Sequence, residues 1–374
     1  MGHDKLRKFA ENETFSCLLQ PSAQELLADG YFHLRDHAVK GHWDRFFDSL
    51  ADVPLHGSSG PQTSGCAGPL PPTSSAGPSL LRSRGWLRSA DPTADSATSS
   101  ARKDEYQKDI VLELGCGKGE YTIALAERHP ERDYIGVDIK GARLWKGAKY
   151  ATEHRLPNVA FLRTRVEFIT AFFAPGEVSE VWLTFSDPQF RSENSRLSSP
   201  LFLERYRSFM KPGGVVHLKT DSRFLHEYTR AVCELNGLRV LACTTDLYYG
   251  GMSPEPPAAL KSLSDFAKCK VPGPGRSADA DLSSAGGDCL PACSPAEIPE
   301  EVRSVQTFYE KLFLEQGYPI TYLSFVIDHD GPYRSPVEAG TFDTDYWRSV
   351  EGPRLLFGHD SAETRRQKLK LCDE

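Results

Sequence analysis

The sequence of 374 residues lacks several features that would define its class at once. No apolar stretch approaches the ~18 residues that a membrane-spanning helix needs, so we expect no membrane association. The charged segment Met1–Lys8 has no apolar core, and we expect no signal peptide and a cytoplasmic protein. Basic residues are not in excess, because the net charge is −7. This charge argues against a protein that coats nucleic acid non-specifically, but it leaves room for a local basic patch.

The cysteine pattern of a disulfide-rich protein is also lacking. The nine cysteines are scattered and odd in number, which is typical of a reduced cytosolic protein. Cys289 and Cys293 form a C-x3-C pair, but two ligands do not make a zinc site, so we expect no metal. There is no internal repeat, and no feature specifies an oligomeric state.

Two long segments lack the apolar periodicity of packed structure. Between positions 53 and 100, 33 of 48 residues are Pro, Gly, Ser, Thr or Ala, and a similar composition returns after position 250. Such segments bury too little apolar surface to offset the entropy of ordering, so we expect flexible insertions. The predicted organisation is therefore one interrupted domain, divided into an N-terminal segment (1–50), an insertion (51–108), a core (109–250), a second insertion (251–298), a helix and strand that complete the core (299–328), and a polar tail (329–374).

The core alternates strand and helix patterns. Short apolar strands are predicted at 110–114, 133–138, 159–162, 180–185 and 215–219, with helical patterns between most of them, and further strands at 238–243 and 320–327. Alternation of this kind favours a parallel sheet covered by helices on both faces. We predict a Rossmann-like, doubly wound, mostly parallel α/β domain, closed at one edge by a hairpin of the last two strands.

A glycine loop follows the first strand. Gly115, Gly117 and Gly119 come after Glu113 and precede a helix, where backbone amides can approach a ligand closely. The E-x-G-x-G-x-G spacing differs from the G-x-G-x-x-G of dinucleotide folds and resembles motif I of S-adenosylmethionine-dependent methyltransferases. Asp138, at the end of the second strand, suits an acid that binds ribose hydroxyls. A tight turn without a ligand and a nicotinamide-dinucleotide site are the alternatives.

Two further acids end the next strands of the predicted sheet. Asp187 follows the fourth strand and Asp221 the fifth, and acids at these ends face the ligand crevice. Taken with the glycine loop, the sequence around these acids resembles that of the bacterial tRNA (guanine-N7)-methyltransferases, the TrmB family. Five strings carry the resemblance, in the order in which the family has them: 112–120, 135–140, the Phe-x-Asp-Pro turn at 185–188, 218–221 and 307–310.

The resemblance implies a class I methyltransferase with S-adenosylmethionine as donor and tRNA as substrate. The reaction that it implies is methylation of guanine N7 at position 46 of the tRNA variable loop. Two alternatives stay open at this point. One is a protein that binds donor or tRNA with reduced or lost turnover, and the other is a methyltransferase with another acceptor.

The resemblance also implies roles for individual residues. Asp187 is the expected catalytic residue and also contacts the donor. The other expected donor contacts are Glu113, Gly115, Gly117, Gly119, Asp138, Thr164 and Arg165. The expected substrate contacts are Arg191, Asp221, Thr307, Phe308, Tyr309 and Glu310. Thr164 and Arg165 stand where the family usually has an acid or an amide, so this part of the donor site departs from the family pattern.

Two other departures lie around Asp187. Ser186 replaces the proline of the family's Phe-Pro-Asp-Pro turn. The basic run that follows is reduced to Arg191 and Arg196, and Glu193 interrupts it. Each phosphate contact that is lost lowers the salt dependence of binding by about 0.7–0.9 in logarithmic slope. We therefore expect weaker or slower tRNA binding than is usual in the family.

Overall fold

The structure is a computed structural model, and it describes residues 2–28, 33–51, 108–248 and 298–357. Nearly all of the two predicted insertions, together with Cys289 and Cys293, lies outside these ranges. The five strings that carry the family resemblance all lie within them.

A sheet of eight strands organises the described chain. The ten strands are β1 (Leu18–Leu19), β2 (Leu27–Ala28), β3 (His33–Leu34), β4 (Ile110–Leu114), β5 (Asp133–Asp138), β6 (Val159–Arg163), β7 (Val178–Thr184), β8 (Met210–Thr220), β9 (Val240–Thr244) and β10 (Thr321–Val326). The order across the sheet is β1-β6-β5-β4-β7-β8-β10-β9, while β2 and β3 form a separate ribbon.

In the spatial order of the sheet, every neighbouring pair from β1 through to β8 is parallel. β10 pairs antiparallel with both β8 and β9. The predicted fold is therefore confirmed, including the antiparallel edge. β8 begins five positions before the predicted strand, and its pairing with β7 is irregular between Met210 and Val215, where the sequence contains Pro-Gly-Gly at 212–214. β1 is not predicted by the sequence, since two residues are too few to show a period.

Helices cover both faces of the sheet. They are α1 (Gly2–Asn12), α2 (Ala23–Leu26), α3 (Trp43–Ala51), α4 (Glu120–Arg128), α5 (Gly141–Glu153), α6 (Pro200–Arg207), α7 (Arg223–Leu235), α8 (Glu300–Ser304), α9 (Phe308–Glu315) and α10 (Thr344–Phe357). Successive residues of a strand point to opposite faces, so Val111 packs in one apolar cluster and Leu112 in the other. None of the helices in the described ranges is both long and apolar enough to cross a bilayer.

The segment after residue 328 packs on the core rather than beside it. Tyr333 and Phe342 are buried in the main apolar cluster, and α10 follows them. The sequence gives no sign of this helix, because Gly352 and Pro353 interrupt its pattern and both disfavour helix interiors. The predicted polar tail thus contains an ordered part, 329–357.

Candidate active site

The glycine loop connects β4 to α4 with an unusual backbone. Gly115, Gly117 and Gly119 have φ values of +80°, +58° and +71°, a region that side chains disfavour. A Cβ on Gly119 would overlap the ring of Phe161, whereas one on Gly115 or Gly117 would meet no atom within 4 Å. The first two glycines therefore leave the loop backbone open to a ligand, and the third allows close packing.

Glu113 lies beneath this loop. One carboxylate oxygen accepts hydrogen bonds from the amide of Thr122, at 2.8 Å, and from its hydroxyl, at 2.5 Å. The other accepts a hydrogen bond from the hydroxyl of Thr184. Glu113 is buried, and burial raises the pKa of its carboxyl to about 7. Its side chain thus joins β4 to α4 and β7, and so supports the loop from inside.

Asp138 holds the loop from the neighbouring strand. Its Oδ2 accepts a hydrogen bond from the amide of Gly117 at 3.0 Å, and its Oδ1 accepts one from the amide of Lys140 at 2.7 Å. The side chain is almost fully buried at the carboxyl end of β5. The predicted ribose-binding acid therefore contacts the glycine loop directly.

A cavity of about 300 Å³ opens beside Asp138 at the carboxyl ends of the strands. It brings together predicted donor residues from three connections, and its lining is Gly115, Asp138, Ile139, Thr164, Arg165, Val166, Glu167, Ser195, Leu197 and Phe202. The apolar lining is not predicted by the sequence. Ile139 and Val166 directly follow Asp138 and Arg165, two of the predicted donor contacts. Phe202 lies in α6, and nothing in the sequence indicates that it lines a site.

Thr164 and Arg165 contribute differently to this cavity. Thr164 is buried, whereas the side chain of Arg165 is 56% exposed and pairs with Glu167 at 3.2 Å. Arg165 also lies over the ring of Phe168, 5.6 Å from its centroid. Where the family usually has an acid or an amide, this chain thus has the buried hydroxyl of Thr164 and the long, partly exposed cation of Arg165, which lies at the edge of the cavity.

The turn that carries Asp187 is strained. Phe185 and Gln189 have φ values of +49° and +48°, although neither is glycine. Such conformations cost about 1–3 kcal/mol each and are concentrated at functional sites. Asp187 is exposed, and its Oδ1 accepts a hydrogen bond from the amide of Gln189 at 2.9 Å. The turn therefore presents the carboxylate to solvent at the carboxyl end of β7.

Asp221 emerges from the adjacent strand. β7 and β8 pair in parallel, with Thr184 opposite Lys219, so the connections that bear Asp187 and Asp221 leave the same edge of the sheet side by side. Asp221 is partly exposed. The structure thus places Asp187, the predicted catalytic acid, and Asp221, the predicted substrate-binding acid, at the predicted edge.

The segment after Asp187 differs from the expected basic surface. Arg191 is exposed, but Arg196 is only 1% exposed and its guanidinium lies 4.7 Å and 4.4 Å from the ring centroids of Phe224 and Tyr228. The expectation that Arg196 belongs to a tRNA-facing basic run is therefore wrong. Cation–aromatic packing explains its burial.

Glu193, which interrupts that run, has a structural role. One of its carboxylate oxygens accepts a hydrogen bond from the hydroxyl of Tyr228 at 2.7 Å, and the other accepts one from Ser335, also at 2.7 Å. The acid thus fastens the segment to α7 and to the C-terminal part of the chain.

The T-x-x-E string forms the beginning of α9. The Thr307 hydroxyl accepts a hydrogen bond from the amide of Glu310, and the Glu310 carboxylate accepts one from the amide of Thr307. This arrangement is a capping box. Glu310 is fully buried and pairs with Lys219 at 2.8 Å. The two residues are thus engaged within the protein, and the sequence gives no sign of Lys219 as their partner.

Phe308 and Tyr309, between them, face outward. Their exposed fractions are 55% and 37%. The ammonium of Lys118, in the glycine loop, lies 4.6 Å from the ring centroid of Phe308. The amide of Phe308 also donates a hydrogen bond to Glu120, at 2.8 Å. An aromatic pair therefore borders the glycine loop, on the same edge of the sheet as the acids.

No metal-binding cluster is formed by the residues that the structure describes. Among them, no group of three or more His, Cys, Asp and Glu side chains is arranged to hold a metal ion. The groups that the described site offers are carboxylates, open backbone amides, aromatic rings and a cavity with an apolar wall.

Comparison with known proteins identifies relatives for most of the chain. The family model Methyltransf_4, whose description is "Putative methyltransferase", matches residues 107–248. The tRNA (guanine-N(7)-)-methyltransferase of Bacteroides fragilis (strain YCH46) is 39% identical over 227 residues, covering 61% of this chain and 72% of that protein. The enzyme of the same name from Porphyromonas gingivalis is 41% identical over 228 residues, covering 61% of this chain and 75% of that protein.

A third relative covers more of the chain. The tRNA (guanine-N(7)-)-methyltransferase of Christiangramia forsetii is 34% identical over 326 residues, which is 87% of this chain and 98% of that protein. Among solved structures, the 16S rRNA methyltransferase KamB is 19% identical, with a TM-score of 0.34 over 59% of this chain and 88% of that chain.

Proposed function

This chain belongs to the tRNA (guanine-N7)-methyltransferase family, and from that membership we propose how its site carries out the reaction. The activity is transfer of a methyl group to N7 of a guanine in tRNA. The observation that carries the assignment of the site is the cavity beside the glycine loop, because it gathers Gly115, Asp138 and Thr164 at the carboxyl ends of three strands. Ligands of this type of fold bind at that edge.

The cavity residues fit S-adenosylmethionine, the proposed donor. Asp138 offers a carboxylate to ribose hydroxyls, and Ile139, Val166 and Phe202 offer an apolar wall to an adenine ring. The open backbone at Gly115, in the cavity lining, and at Gly117, two residues further along the loop, leaves room for the amino acid portion. A volume of about 300 Å³ is at the lower end of the range of small-molecule sites. Glu113 acts on the donor through the loop that it supports.

The mechanism needs positioning more than proton transfer. Guanine N7 carries a free lone pair, so no base must remove a proton before it attacks. S-adenosylmethionine supplies the sulfonium methyl, whose bond to sulfur breaks as the bond to N7 forms. Alignment of the reacting groups can contribute up to roughly 7–11 kcal/mol. The guanine ring gains a positive charge, and the carboxylate of Asp187, exposed at the crevice, stabilises it.

The substrate side of the site lies around Asp187. We assign to Asp221 the recognition of guanine, since a carboxylate accepts hydrogen bonds from N1–H and N2–H and adenine offers no such pair. Phe308 and Tyr309 are exposed rings on which a nucleobase can stack, while Arg191 is an exposed cation for phosphate. Thr307 and Glu310 serve substrate binding through the helix that they cap. The target base must leave its stack to enter the crevice.

Two finer features follow from the family resemblance. The guanine is at position 46 of the tRNA variable loop, and the protein acts in the cytoplasm, where tRNA is available to it.

Three donor-side and substrate-side acids, Asp138, Asp187 and Asp221, are arranged along one edge of the sheet, and this supports a single site for both substrates.

The experiment that tests the function is a map of N7-methylguanine in tRNA from cells with and without the gene. We expect the modification at one variable-loop guanine to disappear without the gene and to return with it. Unchanged modification, with donor or tRNA still bound by the purified protein, would instead favour a binding protein without turnover. Methylation of a different acceptor by the purified protein would favour the other alternative.

A further inference from the structure

The C-terminal segment 329–357 contacts both connections that carry the acids Asp187 and Asp221. Arg348 and Glu351, three positions apart on α10 and hence on one face of the helix, make these contacts. The Nη2 of Arg348 donates a hydrogen bond at 2.9 Å to the carbonyl of Phe190, three residues beyond Asp187. Glu351 contacts the residues directly beyond Asp221.

Glu351 is buried at the beginning of α7. Its Oε2 accepts a hydrogen bond from the hydroxyl of Ser222 at 3.2 Å and another from the amide of Phe224 at 2.5 Å. Ser222 is also the N-cap of α7, because its oxygen accepts a hydrogen bond from the amide of Leu225 at 3.1 Å. A carboxylate at a helix N-terminus is stabilised by the helix dipole. Glu351 thus fixes the direction in which the chain leaves Asp221.

Other contacts anchor the segment against α7. The ring of Phe342 packs edge-on against Phe224 and Tyr228, with both centroids 5.4 Å away. At the far end of α7, the guanidinium of Arg334 donates a hydrogen bond to the carbonyl of Leu235 at 2.5 Å. The segment therefore runs along α7 from its C-terminus to its N-terminus and ends beside the acids.

We propose that residues 329–351 form a brace that sets the relative position of Asp187 and Asp221, with Glu351 as its positioning residue. Without Glu351, two donors at the start of α7 lose a buried acceptor and the Asp221 connection gains freedom. The two carboxylates must meet one guanine, so a shift of about 1 Å lowers the rate by up to about 100-fold. The proposal rests on the proposed function, since it assigns the brace to the methyl-transfer site.

The test compares variants of the full-length chain. Glu351→Ala removes the acceptor, and Glu351→Gln keeps an oxygen at the same place. Arg334→Ala is the matched control, since it removes a contact of the same segment at the opposite end of α7. We expect Glu351→Ala to lower kcat for tRNA by roughly 10-fold to 100-fold with little change in the affinity for S-adenosylmethionine. Glu351→Gln and Arg334→Ala should keep kcat near that of the unchanged protein.

Two results would overturn the proposal. One is a kcat for Glu351→Ala equal to that of the unchanged protein. The other is an equal loss of kcat in Arg334→Ala, because the segment would then contribute only general stability. If the unchanged protein itself forms no N7-methylguanine, the proposed function fails. Amide hydrogen exchange then tests separately whether the segment holds the two connections in place. Faster exchange at Gln189 and Leu225 in Glu351→Ala but not in Arg334→Ala supports it, and equal exchange contradicts it.

Discussion

Lys219 and Glu310 form an ion pair at 2.8 Å, and neither side chain is exposed to solvent. The ammonium of Lys219 also donates hydrogen bonds to the carbonyls of Val302, at 2.6 Å, and Val305, at 2.9 Å. Lys219 lies near the end of β8, and Glu310 lies in the first turn of α9. The pair therefore joins the strand that leads to Asp221 to the helix that presents Phe308.

Breaking this pair should destabilise the fold strongly. We expect Glu310→Ala to lower the free energy of unfolding by about 3–5 kcal/mol, because it leaves the ammonium of Lys219 buried without its partner. The measurement is urea-induced unfolding. The double variant Lys219→Met/Glu310→Ala should recover part of the loss, since it no longer buries a charge. A loss below about 1 kcal/mol in the single variant, as for an exposed pair, would contradict this account.

The open backbone of the glycine loop predicts a selective loss of donor affinity. Gly117 and Gly237 have similar φ values, +58° and +61°, and a Cβ on either meets no atom within 4 Å. Alanine therefore causes comparable strain at both sites, about 1–2 kcal/mol. We expect Gly117→Ala to weaken binding of S-adenosylmethionine in calorimetry, and Gly237→Ala, remote from the loop, to leave it unchanged. Equal affinities in the two variants would place the donor elsewhere.

Burial of Glu113 predicts a pH dependence of stability. Its pKa is about 7 in the folded chain and about 4.3 in an unfolded one, so between these values only the folded state holds the proton. The free energy of unfolding should therefore fall as pH rises through this window, by up to about 1.4 kcal/mol per unit, and level off above pH ~7. Glu113→Gln cannot titrate and should lose this contribution. Unfolding curves between pH ~5 and pH ~8 test it, and equal slopes in both proteins would refute it.

The aromatic pair beside Lys118 predicts an effect on tRNA but not on the donor. Stacking of a base on an aromatic ring contributes about 1–3 kcal/mol, so Phe308→Ala should raise the KM for tRNA by roughly tenfold. Phe308→Trp keeps a ring and should retain most of the affinity. The affinity for S-adenosylmethionine should be the same in all three proteins. A KM unaffected by alanine would remove Phe308 from the substrate surface.

Much of this architecture could be predicted because its signals are local. The strands at Ile110–Leu114 and Asp133–Asp138 are short and mostly apolar, and the structure has them with the predicted bounds. The glycine loop and the acids that end strands are also short patterns, so their place at one edge of the sheet followed from the fold.

Contacts between distant parts of the chain could not be predicted in this way. Glu310 reads as an ordinary helix residue until Lys219, 91 positions earlier, is found buried against it. Arg196 reads as a surface cation, but two aromatic rings of α7 enclose it. Glu351 belongs to a segment whose pattern is polar and interrupted, and only tertiary packing brings it to α7.

Asp187 provides the most direct test of the account. The measurement is the initial rate of N7-methylguanine formation in purified tRNA, with S-adenosylmethionine, for the unchanged protein and for Asp187→Asn. Asp36→Asn is the control, because it also removes one exposed carboxylate, from a residue that pairs only with nearby Lys40 in the contacts described. We predict that Asp187→Asn loses methyl transfer by at least about 100-fold and keeps its fold, while Asp36→Asn stays active. Near-normal turnover by Asp187→Asn would contradict the account.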